Sequence, residues 1–196
     1  MKKILWGLLA LATVAAVAVA VSYYRLRSAA MQWEGPASEI LTERLDKNAD
    51  FMEAEFTTRI DAPVETVFRA FSQPERTQEF SDSVHLSRLV SSQDNRKVVE
   101  FQAKVLGRPQ NFTLEFSFFP SENRVTFKTV ENPLADMQGE YRFISSPDGK
   151  KTLLTYQATS RDKVNLPIPL SMQKSAAREA FVSMVRALKK GLASQG

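Results

Sequence analysis

From Met52 the chain alternates. Met52, Ala54, Phe56, Thr58 and Ile60 fall on one side and Glu53, Glu55, Thr57 and Arg59 on the other, the period-two pattern of a half-buried strand. At Asp61-Ala-Pro63 the period changes, and Val64, Val67, Phe68 and Phe71 recur at helical spacing. Pro63 presets φ for a first helical turn, and Asp61 is placed to cap it. Ser72-Gln-Pro74 stops that helix, and Pro74 opens a second short one through Phe80.

Alternation then returns. Val99, Phe101, Ala103 and Val105 share a face; Gly107-Arg-Pro109 turns the chain; Phe112, Leu114, Phe116 and Phe118 alternate with polar neighbours. Val125 and Phe127, then Met137, Gly139, Tyr141 and Phe143, continue the meander. Ser146-Pro-Asp-Gly149 is a turn leading to Leu154, Tyr156 and Ala158. A final helix, capped by Ser171, carries Met172, Ala176, Ala180, Phe181, Met184 and Leu188 as an apolar stripe. This layout is α+β: an antiparallel sheet of six or seven strands, two short helices after the first strand, and one long helix able to cover a sheet face.

Before the first strand the pattern is different. Ile4 to Val21 carries no charge, and at about 1.5 Å per residue it spans roughly 27 Å as a helix, close to a bilayer's hydrocarbon core. Lys2 and Lys3 precede it, Trp6 lies near one end, and Tyr23, Tyr24, Arg25 and Arg27 follow it, in keeping with interfacial anchoring. The expectation is a single-pass transmembrane anchor over residues 1–27 in the cytoplasmic membrane, with the C-terminal domain on the exported side, periplasmic or extracellular. A cleaved signal peptide ending at Ala18-Val-Ala20 is the alternative. Residues 28–50, polar and broken at Gly35-Pro36, read as a linker in which Ile40, Leu41 and Leu45 form a helical turn or two, leaving 51–196 as the globular domain.

Charge changes the picture little. The net charge is +4, but Lys2, Lys3, Arg25 and Arg27 against Glu34 place +3 of it in residues 1–34, so the domain is nearly neutral and no nucleic-acid partner is expected. With no cysteine and only His85, the sequence supplies no thiolate and no His-based nucleophilic pair, no metal-ligand spacing and no glycine-rich phosphate loop. No catalytic residue, metal or cofactor is assigned. Lys104, Arg108, Arg124 and Lys128 form either a solvated sheet surface or a strip for anionic headgroups.

The strand running into Asp61-Ala-Pro-Val-Glu-Thr-Val-Phe68, the break at Pro74, the meander and the terminal helix resemble the START-like (SRPBCC) superfamily of polyketide cyclases and lipid-transfer proteins, over residues 52–192. The resemblance implies a helix-grip fold, in which a curved sheet grips the C-terminal helix and leaves an apolar cavity between them. On that footing Phe101, Phe112, Phe116, Phe127, Tyr141, Phe143 and Tyr156 from the sheet, with Ala176, Ala180 and Met184 from the helix, are the candidate ligand-binding residues. Small helix residues facing large aromatics leave room for an apolar guest. Three functions compete: a membrane-tethered, non-enzymatic binder or carrier of a lipid, fatty acid or quinone; a cyclase or aromatase; and a protein-interaction or assembly module of a membrane complex. A continuous apolar cavity favours the first two, and a filled core with an exposed patch favours the third.

Overall fold

The computed structural model describes residues 32–34, 38–48, 51–105, 107–164 and 168–194. The chain divides into two compact units, residues 1–36 and 37–196. Of the first, only a helical pair, Gln32 and Trp33, and Glu34 are described. The apolar span Ile4 to Val21 lies outside the described residues. No helix among the described residues is long and apolar enough to cross a membrane.

The second unit is one antiparallel sheet and its helices. Its elements are β1 (Thr42–Asn48), β2 (Phe51–Ile60), α1 (Val64–Phe71), a 3-10 helix (Pro74–Glu79), β3 (Val84–Gln93), β4 (Arg96–Val105), β5 (Arg108–Phe119), β6 (Arg124–Glu131), β7 (Ala135–Ser145), β8 (Thr152–Asp162) and α2 (Leu170–Ala193). The sheet has eight strands in the order β1-β2-β8-β7-β6-β5-β4-β3. Strands β3 to β8 thus form a continuous meander, and β2 adds to its far side. The alternation from Met52 gives β2, whose Phe56 and Ile60 sit in the core.

Two expectations are corrected at the N-terminal side. The sheet has eight strands rather than six or seven, because the stretch read as linker contains β1, paired with β2 from Thr42↔Thr57 to Asn48↔Phe51. Ile40, Leu41 and Leu45 therefore belong to an extended segment and not to helical turns; of β1 only Leu45 is buried. An edge strand whose other residues are exposed or half-exposed offers almost no apolar period to read.

The helix starts also differ from the capping expected. Pro63 is the N-cap of α1, and its carbonyl accepts from the Val67 amide at 3.0 Å, with no side-chain cap. Asp61 lies beside the buried Arg59 at 3.6 Å instead. The turn is held by the buried Thr152 hydroxyl, which donates to the Ala62 carbonyl at 2.7 Å. Helix α2 starts one residue before Ser171, with Pro169 as N-cap and no side-chain cap. In both places a proline with fixed φ does the work assigned to a polar cap.

Strand β7 carries the one glycine whose lack of a side chain shapes the sheet. A Cβ on Gly139 would collide with the Gln157 carbonyl and lie 2.9 Å from the Ala158 Cα, so β7 and β8 approach closely only because this position is bare. Phe181 of α2 stacks on Phe56 at 4.8 Å between ring centroids and lies 5.8 Å from Tyr156. Val185 and Leu188 complete the contact, and Gly191 brings the helix against the Phe80 ring. Each large apolar side chain fully buried in this way is worth about 1.5–3 kcal/mol.

Candidate functional site: an apolar cleft beneath α2

Three surfaces meet around a cleft of about 800 Å³. The floor is inward-facing sheet: Phe101 and Ala103 of β4, Phe112, Leu114 and Phe116 of β5, and Tyr141 of β7. One side is Phe71 of α1 with Pro74 and Phe80 around the 3-10 helix. The roof is the solvent-ward part of α2, with Met172, Ala176, Ala180 and Met184. The floor rings hold each other: Phe101 stacks on Phe112 at 5.4 Å and meets Phe116 edge-on at 6.2 Å, and Phe71 lies 4.5 Å from Tyr141. Their shape follows from the strand period, which sends every second residue of β4, β5 and β7 to this face.

Of the ten residues put forward from the sequence, the structure brings seven to the cleft: Phe101, Phe112, Phe116, Tyr141, Ala176, Ala180 and Met184. The other three do not line it. Phe143 is buried against Phe68 and Phe71 of α1. Phe127 is buried beneath Tyr141 and Tyr156, and Tyr156 packs between Phe127, Phe56 and Phe181. They share the inward face of the sheet but are covered by other rings, Phe143 by those of α1, Tyr156 by Phe181 of α2, and Phe127 by those of neighbouring strands.

The cleft also has polar residues that sequence reasoning did not reach. Ser81 and Ser83, just after the 3-10 helix, meet Ser183 of α2, with Ser83 and Ser183 hydroxyls 2.6 Å apart and Ser81 and Ser183 3.5 Å apart. Beside them the Lys190 ammonium donates to both oxygens of Asp82 at 3.0 Å. Phe80 against Gly191 finishes the same seam. Serines about a hundred positions apart carry no sequence signal; only the placement of Phe80 next to a helical glycine would have hinted at it.

The charged residues of the cleft stand at its rim. Arg76 pairs with Glu79 at 2.6 Å, and Arg186 with Glu39 at 2.6 Å. Inside, the titratable group is the Tyr141 phenol, with Tyr156 packed against it outside the lining. Burial, and then the neighbouring Tyr156, hold the Tyr141 hydroxyl well above its usual range; burial alone raises Tyr156. Both remain neutral donors at any physiological pH.

The opposite face of the sheet has a depression of about 790 Å³, but Glu53, Glu55, Arg96, Glu115, Lys128 and Gln157 line it. It offers a lipophile little. The strip of cations expected there is partly neutralised: Arg124 pairs with Glu122 at 2.8 Å, and Lys128 with Glu115 at 3.1 Å. His85 is exposed on β3, and among the described residues no three His, Cys, Asp or Glu side chains are grouped to hold a metal.

A family model described as polyketide cyclase / dehydrase and lipid transport matches residues 52–195. Among solved structures, the chain is similar to the Zhui aromatase/cyclase of a Streptomyces species, at 15% identity and a TM-score of 0.66, covering 74% of this chain and 95% of that one. It is similar to a START superfamily protein of Mycobacterium smegmatis at 16% identity, TM-score 0.62, covering 74% and 99%. A STAR-related lipid transfer protein fragment from Xanthomonas axonopodis aligns at 14% identity, TM-score 0.57, covering 77% and 98%. A search of the curated proteins finds no match. At these identities the structural likenesses concern the fold.

Proposed function

The chain belongs to the polyketide cyclase / dehydrase and lipid transport family, and on that premise we propose that it binds or carries a lipophilic small molecule without acting on it chemically. The observation that carries this reading is the cleft of about 800 Å³ with an aromatic floor and an alanine-bearing roof. Pockets for small molecules are of this size, largely apolar, and marked by few polar groups. The seven lining residues first named from the sequence are the proposed contact surface. The close polar pairs of the cleft are the serine hydroxyls of the seam and the ion pairs Lys190–Asp82 and Arg76–Glu79 among exposed side chains of the rim, an arrangement that favours binding over catalysis. A protein-interaction module expects a filled interior, and the cleft speaks against it.

We place the domain on the exported side of a membrane, tethered by residues 1–27. The support is the uncharged span with Lys2 and Lys3 before it. A cargo of low water solubility is collected at the bilayer, and a tether keeps the cleft near it. Native mass spectrometry of the full chain purified from cells, followed by organic extraction, tests the binding reading: a stoichiometric lipophile is expected, and a folded, empty protein overturns it. Fractionation tests the tether. A mature N-terminus at Val21 in the soluble fraction would remove the anchor and leave export standing.

A further inference from the structure

Deep in the cleft, among the described residues, the Tyr141 hydroxyl has no hydrogen-bond partner from the protein. We propose that this hydroxyl anchors the bound molecule, and that the cleft therefore selects a neutral lipophile with a hydrogen-bond acceptor, such as a carbonyl, at its buried end. The inference rests on the binding reading above and narrows its ligand class.

The other polar groups of the wall are mostly engaged, and Lys104, Ser175 and Glu179 are exposed to solvent. The serine hydroxyls bond one another, the Thr77 hydroxyl donates to the Pro74 carbonyl at 2.7 Å, and Gln73 accepts from Arg76 at 3.1 Å. Tyr141 projects from β7, a central strand, and its ring is fixed by Phe71, Phe127 and Tyr156 at 4.5, 5.4 and 5.1 Å. A donor so held is preorganised, and binding a partner costs it little further ordering. Because burial keeps the phenol protonated, it offers a proton and no charge.

Charge decides between the ligand classes. Arg76, Arg186 and Lys190 lie at the rim with side chains 43%, 60% and 53% exposed, each tied to a carboxylate. Lys104, the remaining cation of the lining, is exposed to solvent as well, so a carboxylate placed against the aromatic floor would lose its hydration without a countercharge beside it. A pure hydrocarbon fits the walls but leaves the phenol unsatisfied. A neutral acceptor satisfies both conditions. The predicted order of preference is neutral carbonyl, then hydrocarbon, then carboxylate.

Fluorenone, fluorene and fluorene carboxylate share one ring system and differ in this respect alone. Their competition with diphenylhexatriene is measured on the full chain and on Tyr141→Phe in one detergent, so that partition into the micelle is common to both. The variant should weaken fluorenone by about tenfold, the scale of one hydrogen bond, and leave fluorene within about twofold. The carbonyl stretch of fluorenone bound to the wild type should sit at lower frequency than in the variant. If the wild type binds neither neutral probe, the binding reading itself falls. If it binds both neutral probes but the carbonyl stretch is that of a free ketone, or Tyr141→Phe changes neither affinity, the anchor is wrong and the binding reading stands. Carboxylate binding as tight as fluorenone binding overturns the ligand class. The infrared measurement on the wild type decides the case even where Tyr141→Phe fails to fold.

Discussion

The two halves of α2 differ more than any two other parts of the domain. From Phe181 onward the helix is clamped: Phe181, Val185, Ala187, Leu188 and Gly191 are buried. Before Phe181 none of its residues is buried, Met172 is 50% exposed, and Ala176 and Ala180 look into the cleft. One continuous helix thus overhangs the cleft along its first half and is anchored along its second, where Met184 still borders the cleft. Rigidity at one end lets the other be held in place with little packing beneath it, which is how a sheet and a single helix can enclose space without collapsing.

The largest test of this contrast is Phe181→Ala. It removes a ring stacked on Phe56 in the clamped half, and a loss of about 3–5 kcal/mol in unfolding free energy is expected from denaturant titration. Met172→Ala, in the overhanging half, should move the same titration by no more than about 0.5 kcal/mol. Equal losses at the two sites would erase the distinction. Next comes the close approach of β7 to β8: Gly139→Ala drives a methyl into β8 and should cost about 1–3 kcal/mol or more, read as a lower thermal midpoint.

Filling the roofed space is the sharper test, with a smaller effect on stability. Ala180 is exposed and borders the cleft, so Ala180→Phe should abolish diphenylhexatriene binding while changing stability by about 0.5 kcal/mol or less. A large loss of stability with unaltered binding would mean that the roof is packed. At the smallest end, Asp61→Ala removes no cap and should leave the midpoint within about 0.5 kcal/mol, whereas Pro63→Gly should cost about 0.5–1 kcal/mol through the freedom it gives the unfolded chain.

Much of the scaffold was legible because one face of each strand is buried and the period shows it. The alternation in β2, β4 and β5, the helix after Pro63 and the turn at Ser146 to Gly149 were all readable. In that turn Gly149 adopts φ 70°, and the Ser146 hydroxyl bonds Asp148 at 2.6 Å. Strand β1 was hidden because its place at the sheet edge leaves one buried apolar residue to signal it. The stripe of α2 was read correctly for Phe181 and Leu188 but extended too far back: Ala180 keeps the helical spacing yet faces open space, since nothing lies opposite to bury it. Seven cleft residues followed from the resemblance and the strand period. Phe127, Phe143 and Tyr156 share that period, and what separates them from the others is the rings that cover them, a matter of tertiary packing. The serine seam required the fold itself, since it joins positions from opposite ends of the domain.

That seam bears on time rather than on affinity. The segment Phe80 to Ser83 borders the cleft and is fastened to α2 by three contacts of different kinds: a ring on a glycine, hydroxyl on hydroxyl, and the exposed pair Asp82–Lys190. Any guest leaving on that side waits for all three to part. The charge pair is the one that dissolved salt weakens, over a screening length of about 8 Å at physiological ionic strength. Departure and arrival rates should therefore quicken together as salt rises, with their ratio nearly unchanged. On the proposed binding reading, residence would be set at the rim and choice of guest at the floor.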